Sequence, residues 1–581
     1  MRAGGKLYEA LTREFTMRKL IPILAALVFL IVAIWLLTRS HHADMLLVNG
    51  IVYTVDPDGT VGEAVAISKG KILEVGTTAD LAKRYAADTV LDLKGKAVYP
   101  GLVDAHAHLE GLGIALMTLD LSGVGSIQEV QQRVKTDIRN SDGRSWVRGR
   151  GWDQNRWTGG DFPSRTDLDA VSDTVPVFLV RVDGHAAWVN SEALALAGIT
   201  GETPDPSGGR ILRDASGVPT GVLIDNAIDL VRGIMPKMTR EERIRAVRLA
   251  VQECLRVGLT GVHDMGVDLE LIGIYKDMIM KGEFPFRVYG AIDGTGQTWD
   301  SLQAAGPLLH FGDDRLTVRA LKLYADGALG SRGAALIEPY SDDPGNRGIT
   351  IMSSEEMKVV VRGAVDAGFQ VCTHAIGDRA NAITLDVYES VLNSTGKTGQ
   401  GTRLRIEHVQ VLTPGDIPRF ARLGVIPSMQ PTHCTSDMPW AVKRLGEKRA
   451  RFAYAWRSLL DAGSIIPAGS DFPVEAPSPL PGFAAAITRQ DGSGYPPEGW
   501  FPEQRMTRME ALKGFTLWAA HAAFGEKTSG SIEEGKHADL TILEQDIMKV
   551  PTEDLRSVRV AMTIVAGGIV FEAKSVGVAV R

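Results

Sequence analysis

Cysteine is scarce in this sequence. Only three cysteines occur among 581 residues, at positions 254, 372 and 434. Their odd number and wide spacing argue against a framework of internal disulfides, and no CxxC pair is present to form a metal-binding knuckle. We therefore expect buried thiols in a fold that is stabilised by its hydrophobic core.

A large excess of charge is also missing. Lys and Arg number 63 and Asp and Glu 70, which leaves a net charge of only −7 on a large surface. Without a basic excess, nucleic acid is not an expected partner. The sequence also lacks a glycine-rich phosphate loop, and this absence weakens the case for an enzyme that cleaves phosphoesters.

The sequence contains only one long uncharged hydrophobic run. Residues 20–37 form an uncharged stretch of 18 residues, which as a helix would reach about 27 Å and nearly span a bilayer. Arg13, Arg18 and Lys19 precede this stretch, so the positive-inside rule places the N-terminus in the cytoplasm. Residues 1–43 are thus predicted to be a cytoplasmic segment and a signal anchor, with the bilayer as partner and the remaining chain on the periplasmic side.

The same segment leaves two alternatives open. No A-x-A cleavage site is evident in residues 38–43, which favours an uncleaved anchor over a signal peptide whose removal would release a soluble exported protein. Residues 17–19 read MRK, which would itself begin a conventional signal sequence. Met17 is therefore an alternative start to Met1.

The remaining sequence divides into two predicted regions. Short apolar runs near both ends of the chain predict a small composite β-sandwich domain made of residues 44–100 and 525–581. Between them, residues 101–524 alternate apolar runs with helical stretches, which is the rhythm of a parallel α/β fold and predicts a TIM (β/α)8 barrel. Residues 121–238 are too many for one loop, so we expect an insertion over the barrel mouth.

The first predicted barrel strand ends in two histidines. Residues 100–108 read PGLVDAHAH, and alternation along a strand points His106 and His108 to the same side, where both imidazoles can reach one metal ion. Taken alone, an HxH pair is a weak signal, because structural or accidental pairs are as common. Later parts of the chain change this assessment.

Three later apolar runs each lead into another residue that can bind a metal. His374, His408 and Asp471 directly follow residues 369–373, 403–407 and 465–470. The carboxyl ends of parallel barrel strands meet at one face, and TIM-barrel active sites lie there. We therefore expect these side chains to join the HxH pair.

Lys322 lies on a further strand-like run, residues 319–324, ahead of Asp326. An unpaired ammonium group that points into a barrel is costly, so this lysine either forms an ion pair, with Asp326 as the evident partner, or changes its chemistry. Carboxylation by carbon dioxide would convert the lysine into an anionic bridge between two metal ions.

The order HxH, Lys, His, His, Asp resembles the ligand series of binuclear enzymes of the amidohydrolase superfamily. Residues 530–540, GSIEEGKHADL, are similar to a C-terminal signature of that superfamily. The segments GWD at 151–153, GHAAWVN at 184–190 and HAIGD at 374–378 resemble its YtcJ-like branch, which includes N-substituted formamide deformylases. The resemblance extends over nearly the whole chain beyond the hydrophobic run.

This resemblance implies a binuclear zinc centre. His106 and His108 would hold one zinc ion, His374 and His408 would hold a second, and carboxylated Lys322 would bridge the two. Imidazole and carboxylate ligands suit zinc best, although manganese, cobalt and iron remain alternatives. If Lys322 stays an ammonium group, one metal site could be empty.

The resemblance also implies a reaction. Asp471 would contact a metal, accept a proton from the attacking water and return it to the leaving nitrogen. The substrate would be a small molecule with a non-peptide carbon–nitrogen bond, such as an amide, an N-formyl or N-acyl amine or a cyclic amide, and the nucleophile would be a metal-activated water.

Four further residues are candidates of lower rank. His185 and His433 are catalytic candidates that could bind substrate or stabilise the intermediate, with a structural role as an equal alternative. Trp152 and Asp326 are candidates for substrate binding, although tryptophans more often complete a core. The rival functions are a binuclear phosphoesterase and a non-catalytic membrane-tethered binding protein, and a homodimer is one option for assembly.

Overall fold

A nearly closed barrel of parallel strands forms the centre of the fold. The computed structural model describes Pro22 and residues 41–140, 146–154, 157–181, 184, 186–206 and 209–573. The regular barrel strands are β1 (Leu102–Ala107), β2 (Leu259–Val267), β3 (Arg287–Asp293), β4 (Leu316–Tyr324), β5 (Gln370–Ala375), β6 (Arg405–His408) and β7 (Ile426–Ser428). Neighbours in this series pair in parallel, which confirms the predicted barrel.

An irregular segment, residues 465–470, completes the barrel between β7 and β1. On one side, the Gly469 amide donates to the carbonyl of Met429 at 3.1 Å. On the other side, the Asp471 amide donates to the carbonyl of His106 at 2.8 Å. These bonds fix Asp471 at the barrel rim, directly beside the end of β1.

Helices surround the barrel. The longer ones are Leu109–Met117, Arg240–Arg256, Leu269–Met280, Gln297–Ala305, Ser354–Asp366, Asp378–Thr395, Pro431–Leu445 and Pro479–Thr488, and the shorter ones are Ile417–Leu423, Trp456–Asp461, Arg508–Gly514 and Leu517–Ala522. Helix Arg240–Arg256 is typical: Thr239 and Glu242 form a reciprocal capping box at its start, and Val247 and Leu255 are buried.

The insertion forms a sheet of its own. Its six strands run across the sheet in the order Gly209–Arg213, Pro219–Asp225, Ala186–Val189, Val177–Arg181, Val147–Trp152 and Leu119–Asp120. Helices Ile127–Asn140, Arg165–Asp169, Ser191–Leu196 and Ile228–Arg232 belong to the same part of the chain. Two separate hydrophobic cores pack within this region, so the insertion has its own interior. The first strand of its sheet begins at Leu119.

Two further sheets contain the segments near the chain ends. The first has the order Lys71–Gly76, Ala64–Ser68, His41–Val48 and Tyr85–Asp92, and the second has the order Gly568–Glu572, Val560–Val565, Leu540–Leu543, Ala97–Pro100, Ile51–Tyr53 and Val61–Gly62. In the second sheet, Val98 lies opposite Ile542 in an antiparallel pair. One hydrophobic cluster includes Leu47 and Ile67 of the first sheet together with Val98 and Ile542, so the two sheets share a core.

The predicted membrane anchor is contradicted by the described part of the chain. There, no helix combines the length and the apolar surface needed to cross a bilayer. The longest described helix, Asp378–Thr395, has 18 residues but includes two Asp, one Arg and one Glu. Residues 20–37, on which the prediction rested, lie outside the described residues except for Pro22. The prediction of a membrane-anchored, periplasmic protein is corrected accordingly.

Candidate metal centre

The carboxyl end of the barrel brings three predicted ligands into a tight group. One potential ligand atom from each of His106, His408 and Asp471 lies within 4.8 Å of the other two, and all three residues are buried. His106 is in β1, His408 ends β6, and Asp471 follows the segment that closes the barrel. Because the strands are parallel, their carboxyl ends deliver these residues to one rim.

The Asp471 carboxylate lies between both histidines of the HxH pair. Its Oδ1 atom is 3.1 Å from Nε2 of His108 and 3.5 Å from Nε2 of His106. The His106 side chain is 1% exposed, whereas that of His108 is 37% exposed. His108 therefore faces the opening of the mouth, and His106 lies beneath it.

His374 packs against the same group from β5. Its ring centroid is 4.5 Å from that of His408. Its Nε2 atom is buried and has no hydrogen-bond partner among the described residues, although Oδ1 of Asp326 lies 3.5 Å away. An imidazole nitrogen with unused hydrogen-bonding capacity is available to bind a metal ion.

Lys322 reaches this site from β4. Its Nζ atom is 3.4 Å from Nε2 of His106, the residue is 1% exposed, and no ion pair to Lys322 occurs among the described residues. The alternative pairing with Asp326 is not formed. The Asp326 carboxylate instead accepts backbone N–H bonds from Ala335, Ile376 and Gly377, so Asp326 organises the loops around β4 and β5.

Burial favours the neutral forms of the basic groups. It lowers the pKa of His106 to about 4 and that of His374 to about 3, and the Lys322 charge adds to both shifts. Burial also holds the pKa of His408 well below its usual range and lowers the pKa of Lys322. Neutral imidazoles are the form that binds metals, and a neutral amine is the form that reacts with carbon dioxide.

Asp471 remains a carboxylate despite its burial. Burial alone would raise the Asp471 pKa, but the neighbouring His106, His108 and His433 imidazoles hold it well below its usual range. The Nε2 atom of His433 is 4.0 Å from Oδ2 of Asp471, and among the described residues this nitrogen has no hydrogen-bond partner. The structure therefore places His433 at the site as well.

Two residues to which the sequence analysis gave no role support the centre from beneath. Oε2 of Glu407 lies 2.7 Å from Nδ1 of His106 and accepts a 3.0 Å hydrogen bond from Arg405. Arg405 also donates to Oγ of Ser428 at 2.8 Å, and its Nη1 lies 2.8 Å from Nδ1 of His263. Burial alone would raise the Glu407 pKa, but Arg405 and His106 hold it well below its usual range.

A sequence signal for this pair was present. Arg405 and Glu407 are two residues apart, so they share one face of β6, and both are fully buried. Two opposite charges at that spacing in a strand that must face a core indicate a self-compensating ion pair. Glu407 then orients the His106 ring from outside the ligand set, as carboxylates commonly do at metal sites.

The other candidates lie elsewhere. Trp152 is 0% exposed inside a core of the insertion, and its indole N–H donates to the carbonyl of Leu179 at 2.8 Å. The structure thus places Trp152 in an apolar interior and not on an open wall of a substrate pocket. His185 lies outside the described residues, and its role stays a prediction.

The donor set as a whole fits a divalent metal ion. Buried neutral imidazoles, a carboxylate and a lysine without an ion pair converge at one rim. The buried His374 nitrogen, which has no partner in the described part of the chain, is costly to leave unused. Nitrogen and oxygen donors in this combination suit zinc and similar ions.

Comparisons with known proteins agree with this chemistry. The family model for the amidohydrolase family matches residues 89–571. YtcJ of Bacillus subtilis is 35% identical over 537 residues, which cover 90% of this chain and 98% of that protein. An N-substituted formamide deformylase of Arthrobacter pascens is 32% identical over 547 residues, which cover 92% of this chain and 99% of the relative.

A solved structure agrees as well. The crystal structure of an uncharacterized metal-dependent hydrolase from Pyrococcus horikoshii matches with a TM-score of 0.72 and 29% identity, and the match covers 87% of this chain and 99% of that one. The family match includes the whole barrel, from β1 to the segment that closes it. The chain therefore belongs to the amidohydrolase family and is a hydrolase of carbon–nitrogen bonds other than peptide bonds.

Proposed function

We propose that the barrel mouth hydrolyses the carbon–nitrogen bond of an N-formyl or N-acyl amine, with a cyclic amide as a further substrate class. The observation that carries this proposal is the convergence of His106, His408 and Asp471, whose ligand atoms lie within 4.8 Å of one another. Such a group can hold a metal ion and place a carboxylate beside it. These are the two components that metal-assisted hydrolysis of an amide requires.

The proposed ligand set contains two metal positions. His106 and His108 would hold one ion and His374 and His408 the other, and Lys322, if carboxylated, would supply ligand oxygens to both. The tight group supports adjoining positions, because it takes His106 from one pair and His408 from the other. When bound, the metal polarises the substrate carbonyl and lowers the pKa of water towards about 7.

Asp471 is proposed to move the proton. Its carboxylate is ionised and lies 3.1 Å from His108, so an unprotonated oxygen lies at the ligand imidazoles, where it would accept a proton from water and return it to the leaving nitrogen. His433, with its unpartnered Nε2 atom 4.0 Å from Asp471, is proposed to donate a hydrogen bond to the oxygen of the reacting carbonyl.

The substrate class rests on the relative from Arthrobacter pascens, whose name describes deformylation of N-substituted formamides. We infer that N-substituted formamides are the first compounds to test, because the 32% identity extends over 92% of this chain. Release of formate from N-formyl amines would support this class. Activity confined to N-acetyl amines or cyclic amides would shift the proposal within the amide family.

The metal content of the purified protein tests the centre. Elemental analysis of the full chain, purified without chelators and without a histidine tag, should find close to two zinc ions per chain. Lys322→Ala should lower that content because it removes the bridge, and short carboxylic acids should restore part of it. Lys443→Ala is the matched control, since Lys443 is exposed on a helix.

The outcomes separate three models. Unchanged metal content in Lys322→Ala would reject the bridge. One zinc per chain in the unaltered protein would favour a single-metal mechanism with unmodified Lys322. No metal, even after reconstitution with zinc, would reject the proposed hydrolytic site and favour a binding protein.

A further inference from the structure

A cavity lies at the opposite end of the barrel from the metal centre. It has a volume of about 140 Å³, and its walls include residues at the amino ends of the first four strands, among them Val103, Thr260, Val288 and Thr317. Residues 523–525 and 528–531 form another wall. Leu309, which lines the cavity, is 43% exposed, so the cavity opens to solvent on that side.

Arg319 supplies a positive charge to this cavity without a counter-ion. Its Nε atom is buried and has no hydrogen-bond partner, and no ion pair to its guanidinium occurs among the described residues. The guanidinium carbon lies 3.6 Å from the ring centroid of Phe524, another wall residue. The ring contacts the cation, and the buried Nε–H of Arg319 has no acceptor among the described residues.

The other charged residues that line the cavity are matched by partners. Arg287 donates to Asp539, with a 3.1 Å bond from Nη2 to Oδ1. Nε2 of His537 is 2.8 Å from the Asp314 carboxylate, which also contacts His310. Arg319 is therefore the charged wall residue that lacks a compensating group, and a partly buried, unpaired cation is unfavourable unless an anion joins it.

We propose that this cavity binds a small organic anion whose carboxylate pairs with Arg319. A guanidinium group presents its N–H donors in a fork that matches a carboxylate. The walls combine this cation, which has no counter-ion among the described residues, with the apolar surfaces of Phe524, Val288 and Leu309, so the ligand carries an apolar body beside its charge. The volume is about ten times the ~10–15 Å³ of cavity space that one water molecule needs.

The site is distinct from the metal centre. Of the residues that form the proposed metal site, none lines this cavity. Towards the metal centre, the cavity extends as far as His263. Nδ1 of His263 lies 2.8 Å from Nη1 of the buried Arg405. Arg405 and Glu407 thus separate an anion at Arg319 from the ligand His106, and the two sites can be tested separately.

Calorimetric titration of the full-length, metal-loaded protein with benzoate tests the proposal. Benzoate combines a carboxylate with an apolar ring of suitable size. Arg319→Gln should weaken the binding by about 10- to 100-fold, as expected for the loss of a charge-assisted hydrogen bond. Hydrolysis of N-formyl amines without benzoate should stay within twofold, because Arg319 lies outside the proposed metal site.

Arg315→Gln is the matched control. Arg315 lies four residues earlier and also has a buried guanidinium nitrogen without a partner among the described residues. It does not line the cavity, so binding should stay within twofold. Ala523→Phe, which fills the cavity from another wall, should abolish the same binding event, and thermal melting should verify that each variant folds.

Three results would overturn the proposal. They are the absence of benzoate binding at millimolar concentration, equal binding by Arg319→Gln and the unaltered protein, and equal weakening by Arg315→Gln. Equal binding would place the benzoate elsewhere, most simply at the metal centre. Arg319-dependent binding of inorganic phosphate without benzoate binding would overturn the assignment of a carboxylate ligand.

Discussion

The barrel mouth and the insertion both bury polar or aromatic side chains that the sequence offers as site residues, yet their hydrogen bonds differ. In the insertion, the indole N–H groups of Trp152 and Trp188 donate to the carbonyls of Leu179 and Ser164. In the mouth, Nε2 of His374 and Nε2 of His433 are buried and have no hydrogen-bond partner among the described residues. The two tryptophans of the insertion thus have satisfied donors, whereas the two histidines of the mouth each have a nitrogen without a partner in the described part of the chain.

This difference in hydrogen bonding distinguishes side chains that stabilise the fold from side chains that are available for chemistry. A buried polar group with its bond made contributes to folding, whereas a buried group without one costs free energy that folding alone does not explain. In the mouth the free nitrogens face a group whose potential ligand atoms lie within 4.8 Å of one another. We therefore expect substitutions in the mouth to change turnover and substitutions in the insertion to change stability.

The largest expected effect is that of Asp471→Asn. The amide keeps the shape of the side chain but cannot accept the proton that the carboxylate accepts, so turnover of an N-formyl amine should fall by about 10²- to 10⁴-fold. Metal content should stay close to that of the unaltered protein, because the histidines and Lys322 remain. Steady-state kinetics together with elemental analysis measure both quantities.

Asp437→Asn is the control for that experiment. Asp437 lies on the helix of His433, and its carboxylate accepts a hydrogen bond from Tyr454. Its substitution should change turnover by less than about tenfold, since its contact lies outside the ligand imidazoles. Near-normal turnover of Asp471→Asn would remove Asp471 from the proton-transfer role. It would also contradict the expectation that substitutions in the mouth change turnover.

A smaller effect is expected for Glu407→Gln, which tests whether Glu407 positions the His106 ring. The change removes the charge that orients His106 at 2.7 Å, and the metal affinity should fall by about 10- to 100-fold. Stability should fall as well, because Arg405 loses a buried partner. Competition with a chelator measures the affinity, and thermal melting measures the stability.

Glu526→Gln separates these two consequences. Glu526 pairs with Arg403 at 2.7 Å in a partly buried ion pair, so its substitution should lower stability without changing metal affinity. If Glu407→Gln also lost only stability, Glu407 would be a core ion-pair residue with no role in positioning His106.

The sequence predicted those parts of the molecule whose signals are local. Apolar runs that end in His374, His408 and Asp471 can be read from a few neighbouring residues, and parallel strand order then predicts that their ends share a rim. The barrel follows from the same alternation of strands and helices. The strand before Asp471 was the exception, because residues 465–470 close the barrel through single backbone bonds and not as a regular strand.

The rest depended on contacts between distant parts of the chain. Glu407 and His106 are separated by 301 positions, and the sequence around Glu407 does not state which ring its carboxylate meets. Trp152 is a predicted substrate-binding residue because aromatic side chains suit an apolar pocket, yet residue type alone cannot show which face of a sheet is covered. Its burial becomes visible only when Leu179 and Trp188 are placed around it.

The smallest effect on turnover is expected for Trp152→Phe. The change removes the indole N–H that donates to Leu179 and leaves that carbonyl without this side-chain donor in an apolar core, so the free energy of unfolding should fall by about 2 kcal/mol. Hydrolysis should keep its kcat/KM within twofold. Trp157→Phe is matched, since the Trp157 indole donates to the carbonyl of Val124 in the same core. A tenfold loss of kcat/KM with unchanged stability in Trp152→Phe alone would show that Trp152 contacts substrate. The insertion would then contribute to the active site together with the barrel mouth.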